Sequence, residues 1–167
     1  MMKEEYKILL DFNKFYAGVV RVLEYPKYND TPVMVASNNH ACNICFSPAN
    51  LPLKLPITMG TALFQIEHLI RQYSIEVFSV TFPVIWDFVL RARSMVDRFF
   101  TDIEYYSCDE MFITAYGTLE EVKQKAAQLR NLLLRGLKLP VSCGIARTKT
   151  LAKVAIEFAK KRKGYNG

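Results

Sequence analysis

Two apolar runs in this chain end on carboxylates, and that limits how it can fold. YKILLDF, residues 6–12, carries Asp11 near its far end, and DIEYYS and MFITAY flank Cys108-Asp109-Glu110. Short runs rich in aromatic and branched residues read as buried strands, and the second pair reads as a hairpin. On neighbouring strands Asp11, Asp109 and Glu110 meet at one end of a sheet. Three converging carboxylates repel one another and are seldom assembled without a cation between them. Oxygen ligands suit Mg²⁺ or Mn²⁺, and no His cluster points to zinc. Taken singly, each site has a plainer reading: Asp11 as a strand end leading into a helix, Asp109-Glu110 as an acidic turn. Topology decides between them.

The first strand, residues 6–12, leads into a helix over 13–23, with Asn13 as its cap. A turn region follows, then a strand at 32–37. Residues 38–62 carry three prolines and read as irregular. A short helix at 62–73 and a strand near 75–80 come next. Pro83 opens a helix that runs to about Phe100. After the hairpin, Thr118 and Glu121 form a capping box. Leu119, Val122, Ala126, Leu129 and Leu133 make one apolar stripe on the helix that follows, which Gly136 stops. LPVSCGIA, residues 139–146, is a further strand, and Thr148 caps a last helix reaching Lys163. With the insertion between Glu24 and Ile75 set aside, the order is strand–helix, then strand–strand–helix–strand. The expected fold class is α+β: a ferredoxin-like split βαβ, an antiparallel sheet with helices on one face, carrying a small inserted subdomain.

A chain of 167 residues with 51% hydrophobic content buries a real core, which excludes disorder. The net charge of +6 is compatible with a nucleic-acid partner and equally with an ordinary basic protein. No run approaches the roughly 20 apolar residues that a membrane span needs. Glu4 and Glu5 stand where a secretory signal carries only positive charge. A cytoplasmic protein with its four cysteines reduced is expected.

On the last helix Lys149, Lys153 and Lys160 share one face, and Leu151, Val154, Ala155 and Phe158 are expected to face the core. Lys153, near the helix start, is placed to reach a polyphosphate with help from the free N–H groups there. The plain alternative is a solvated lysine face. Lys160 and Lys161, with Arg162 and Lys163, either contact a phosphate backbone or only solubilise the end. His40, Cys42 and Cys45 resemble half a zinc site, but no second ligand pair is spaced to complete it.

The runs DFNKFYAG, SNN, YSCDEMF and GIARTKTLAKVA, in this order and spacing, resemble a Y-family translesion DNA polymerase of the UmuC type, the group that includes the DinB branch. The similarity extends from about Ile8 to Lys161. It implies a palm of residues 1–23 and 77–163 and fingers at 24–76. It also implies that Asp11, Asp109 and Glu110, with the backbone carbonyl of Phe12, hold two Mg²⁺ ions, Mn²⁺ being possible. Tyr16 would be the steric gate against a ribose 2′-hydroxyl. The backbone of Lys14 and Phe15 would lie along the incoming triphosphate, and Lys153 would bind its phosphates. Without the resemblance, Phe15 and Tyr16 read as helix packing. Leu53 stands where the family carries a basic residue, with Lys54 beside it and Pro52 and Pro56 around it. Phe82-Pro83-Val84-Ile85 lacks the family's tyrosines. The chain ends about where the family's thumb begins, so a palm and fingers without thumb or little-finger domain, and a 164–167 tail, are expected.

The leading expectation is therefore DNA-directed synthesis in DNA-damage (SOS) repair. Its substrates would be primer-template DNA and a deoxynucleoside triphosphate. The family also implies a UmuD-like subunit, a recombinase filament or a sliding clamp as partners. Lys149, Lys160 and Lys161 are the candidate DNA contacts. Two alternatives stand beside it: a catalytically inactive remnant that binds DNA or a polymerase partner, and a nucleotide cyclase-like enzyme on the same scaffold.

Overall fold

A computed structural model describes residues 4–24, 26–37, 39–48, 51 and 55–161, with the side chain of Lys161 outside that set. Asn38, Pro52, Leu53, Lys54, Arg162, Lys163 and the 164–167 tail, all invoked above, lie outside the described residues. The strands are β1 (Glu4–Phe12), β2 (Val33–Ala36), β3 (Asn43–Ser47), β4 (Glu76–Ser79), β5 (Ile103–Tyr105), β6 (Glu110–Gly117) and β7 (Val141–Ala146). The helices are α1 (Phe15–Leu23), α2 (Glu67–Gln72), α3 (Phe82–Val96), α4 (Leu119–Leu137) and α5 (Lys149–Lys161). The chain divides into two compact units, one of Met1–Asn13 with Trp86–Gly167 and one of Lys14–Ile85. α1 and the first turn of α3 fall in the second of these units.

The first unit is the expected antiparallel sheet, in the order β5-β6-β1-β7. Read along the chain this is the 4-1-3-2 arrangement of a split βαβ fold. The period of two divides β1 between two faces. Leu9 packs with Phe112, Ala152 and Ile156 on the face covered by α5. Ile8 and Leu10 point the other way, as does Cys143 of β7, which feels the charge of Arg130 on α4. So α4 supplies the expected helical layer, and α5 lies on the opposite face. Val122, Ala126, Leu129, Leu133 and Leu137 form the buried stripe of α4. Leu119 was expected in that stripe but is exposed. Both halves of the Thr118–Glu121 capping box are formed.

Two expectations about helix chemistry fail for steric reasons. Gly136 does not stop α4; the helix continues to Leu137 and Lys138 takes the left-handed cap at φ 59°. A Cβ on Gly136 would lie 2.4 Å from Met95 Cε, so this glycine admits α3 rather than ending α4. On α5 the inward residues are Ala152 and Ile156, at 0% and 2% exposure, while Leu151 and Phe158 are 53% and 71% exposed. Val154 is also exposed. A Cβ on Gly144 would fall 2.2 Å from the Ala152 carbonyl oxygen. The helix backbone rests directly on β7 there, and only a small residue fits inward at Ala152.

The second unit holds a three-stranded sheet, β3-β2-β4, antiparallel on one side of β2 and parallel on the other. β3 lies within the stretch expected to be irregular. Instead of one helix over 62–73, a 3₁₀ turn at Leu63–Gln65 precedes α2. Met34, Phe46, Ile66 and Ile75 form its core. Arg21 of α1 ties the surrounding loops together. Its guanidinium donates to the carbonyls of Tyr28 (3.1 Å) and Thr31 (2.7 Å) and to Ser47 Oγ. No helix among the described residues is long and apolar enough to cross a membrane.

Candidate active site

The register of the first sheet sets Asp11 directly opposite Glu110 on β6 and Ser142 on β7. Directly opposed residues point to the same face, so the two carboxylates stand side by side on the α5 face, where like charges destabilise. Asp11 is 9% exposed. Burial pushes its carboxyl above the usual range, Lys160 acts against that, and the charges of Asp109 and Glu110 push it up further. The three carboxylates are therefore close enough to feel one another.

The turn before β6 is built by Ser107. Its Oγ accepts from the backbone N–H groups of Asp109 (3.3 Å) and Glu110 (3.0 Å) and donates to Asp109 Oδ1 at 2.6 Å. The Asp109 carbonyl accepts from Phe12 N–H at 2.9 Å, which ties the turn to the end of β1. On the other side, Asn13 N–H donates to the Pro140 carbonyl and Ser142 Oγ donates to Asn13 Oδ1, both at 2.9 Å. Asn13 thus braces the strand ends and does not cap α1. Lys14 holds the cap position of that helix with φ 51° and no side-chain cap bond.

The cations come from α5. Lys160 Nζ donates to Asp11 Oδ2 at 2.6 Å, and Lys153 Nζ lies 3.3 Å from Glu110 Oε2. Lys153 also sits 4.6 Å above the Tyr106 ring, which meets Phe112 edge-on. Lys149 is turned to Glu104 and lies over the Phe112 ring. In the second unit Phe15 is buried and meets Tyr16 edge-to-face at 5.9 Å. Tyr16 lines a mostly apolar cavity of about 160 Å³ together with Val19, Val35, Phe78, Val84 and Ile85. His40 Nε2 pairs with Ser79 Oγ at 2.6 Å.

Asp11, Asp109 and Glu110 thus lie at adjoining strand ends, and each side chain has its own partner. Among the described residues no three His, Cys, Asp or Glu side chains are gathered to hold a metal ion. The donor set is all oxygen and suits a hard divalent cation. At Asp11 the counter-charge in the structure is the Lys160 ammonium. Ser107 was legible in principle from the Ser-x-Asp spacing of a hydroxyl-capped turn. The Lys160–Asp11 pair joins residues 149 positions apart and has no local signal.

The profile of the impB/mucB/samB family matches residues 10–157. Protein ImpB of Salmonella typhimurium is 35% identical over 149 residues, which cover 88% of this chain and 34% of that protein. Protein UmuC of Salmonella typhimurium is 33% identical over 156 residues, covering 92% and 36%. DNA polymerase IV of Ureaplasma parvum is 26% identical over 155 residues, covering 90% and 42%. The chain spans between about a third and two-fifths of these relatives' length. In fold it resembles DinB from Sulfolobus solfataricus, with TM-score 0.83, 23% identity and coverage of 97% of this chain and 47% of that one. The Dbh ternary complex matches with TM-score 0.83 and 23% identity, over 97% of this chain and 46% of that one. These matches agree with the resemblance carried by the DFNKFYAG, YSCDEMF and TKTLAKVA runs, and the chain belongs to the impB/mucB/samB family.

Proposed function

We propose that the chain carries the catalytic portion of a translesion-type DNA-directed DNA polymerase. The observation that supports this best is the Asp11–Glu110 pair, opposed across two strands beside Asp109. The primer 3′-oxygen forms a bond to the α-phosphorus of a deoxynucleoside triphosphate, the bond to pyrophosphate breaks, and the hydroxyl proton passes to solvent water. Asp11, Asp109 and Glu110, with the Phe12 carbonyl, would hold two Mg²⁺ ions. Such ions would supply Lewis-acid charge at the attacking hydroxyl and at the leaving pyrophosphate.

The remaining work falls to the chain's own groups. Lys153 supplies positive charge to the phosphates. The backbone at Lys14 and Phe15 follows the triphosphate, and the Tyr16 ring excludes a 2′-hydroxyl. Lys149, Lys160 and Lys161 serve the DNA backbone, whose contacts carry most of the affinity. In this reading residues 1–23 and 77–163 are the palm and 24–76 the fingers. The protein acts in the cytoplasm on damaged DNA, recruited by a UmuD-like subunit, a recombinase filament or a sliding clamp.

Primer extension with Mg²⁺ and the four deoxynucleoside triphosphates tests this, comparing wild type with Asp109→Asn. Template-directed extension that falls by roughly 10²-fold or more in the variant supports it. The pairing of two carboxylates with lysines favours a second reading, a DNA-binding module without catalysis. Primer-template binding unaltered by Asp109→Asn, with no extension by folded wild type, would select that reading.

A further inference from the structure

Each of the two opposed carboxylates is occupied by an ammonium from the same helix. The placement of that helix is fixed by packing. Ile156 is buried against Leu9 and Phe112, and the α5 backbone rests on Gly144. Lys153 and Lys160 are seven residues apart, two turns of helix, so both project along one flank. Lys153 is further held over the Tyr106 ring. Lys160 is the closer of the two, at 2.6 Å from Asp11, against 3.3 Å for Lys153 and Glu110. Asp109 is meanwhile turned to Ser107.

We propose that Lys160 is a built-in placeholder cation, which neutralises Asp11 while the site lacks a divalent ion and competes with that ion for the carboxylate. Burial makes an uncompensated Asp11 charge unfavourable, so a neighbouring cation is favoured when no metal is bound. Lys160 supplies it from within the fold. Two ligands that exclude each other from one group weaken each other's binding reciprocally. The intact chain therefore binds a divalent ion more weakly than its carboxylates alone would. Displacement of Lys160 also leaves an unpaired ammonium at the edge of the site. This inference rests on the metal site of the proposed polymerase function, but not on catalysis by the chain.

The test is a Mn²⁺ titration of the full chain without nucleotide or DNA, followed by the electron paramagnetic resonance signal of free Mn²⁺. The variants are Lys160→Met, Lys160→Arg and, as a control of equal charge, Lys123→Met, whose lysine pairs with Glu120 on α4. Lys160→Met is expected to bind Mn²⁺ at least about 5-fold more tightly than wild type. Lys160→Arg keeps the weak wild-type affinity. Lys123→Met shifts it by less than about 2-fold, as screened distant charge should. Circular dichroism checks folding, and Lys160→Gln replaces the Met variant if that one is unfolded. Equal or weaker Mn²⁺ binding after loss of the Lys160 charge overturns the proposal, as does equal tightening by Lys123→Met. Mn²⁺ binding by none of the proteins removes the metal site itself, and the proposal with it. Tightening by Lys160→Met without primer extension leaves the proposal standing and counts against the polymerase reading alone.

Discussion

Each of the two units of this chain is stabilised internally by different physics. The first is an apolar sandwich in which Leu9, Leu10, Met111 and Ile113 are completely buried between helices. Its polar groups are gathered at the strand ends, where Asp11, Asp109 and Glu110 lie. The second has a smaller core around Met34, Phe46, Ile66 and Ile75. It depends in addition on one guanidinium, Arg21, that satisfies the Tyr28 and Thr31 carbonyls of the loop before β2. A fold that relies on one half-buried guanidinium is sensitive to that side chain; a fold with its buried polar groups at one end can devote them to chemistry.

Arg21→Ala breaks the second unit most directly. It strands several acceptors at once, and a loss of about 2–4 kcal/mol is expected in urea denaturation. Amide exchange should rise at Tyr28, Thr31 and Ser47 first, with β1 and β6 unchanged. A uniform rise across both units would show that they do not differ in this way. Gly144→Ala probes the first unit. Its new methyl would meet the Ala152 carbonyl, so α5 must shift on β7 at a cost of about 1–3 kcal/mol. A melting temperature equal to wild type would contradict the close approach. Thr118→Ala removes one half of the capping box, with an expected loss of about 1 kcal/mol. Thr118→Ser should retain the stability.

The smallest expected effect distinguishes a site held for chemistry from one held for stability. The folded pKa of Asp11 lies above its ordinary value, chiefly through burial. The folded state therefore holds that proton more tightly than the unfolded chain does. Stability from this group is gained as pH falls through the folded value, and the penalty of the charged form is present above it. Asp11→Asn should accordingly melt slightly higher than wild type at pH 7 without divalent ions, and the difference should shrink at low pH. A lower melting temperature at pH 7 would mean that the Lys160 pair outweighs the burial.

The legibility of the sequence follows the same division. β1, the β5–β6 hairpin and the capping box are visible because their signals are local: a period of two, a polar turn and a Thr-x-x-Glu spacing. That Asp11 and Glu110 can meet follows from strand order, while their direct opposition is set by the register of β1 on β6. β3 was hidden because NICFS is short, is flanked by polar and proline-containing segments, and pairs through a register shift at Val35/Ala36. The inward face of α5 was misassigned because Leu151, Val154 and Phe158 outweigh Ala152 and Ile156 in apolar bulk. What decides that face is Gly144, on another element, which brings the helix too close for a large side chain. The lysine partners of the carboxylates escaped for a similar reason, since both contacts form only after α5 is docked.

Anomalous diffraction from crystals soaked in Mn²⁺ and a deoxynucleoside triphosphate tests the central claim most directly. The account predicts Mn²⁺ between the ends of β1 and β6, on Asp11 and Glu110 with Asp109 turned away from Ser107, and Lys160 withdrawn from Asp11. Crystals at saturating Mn²⁺ with Lys160 still on Asp11 and no anomalous peak at these carboxylates would contradict it.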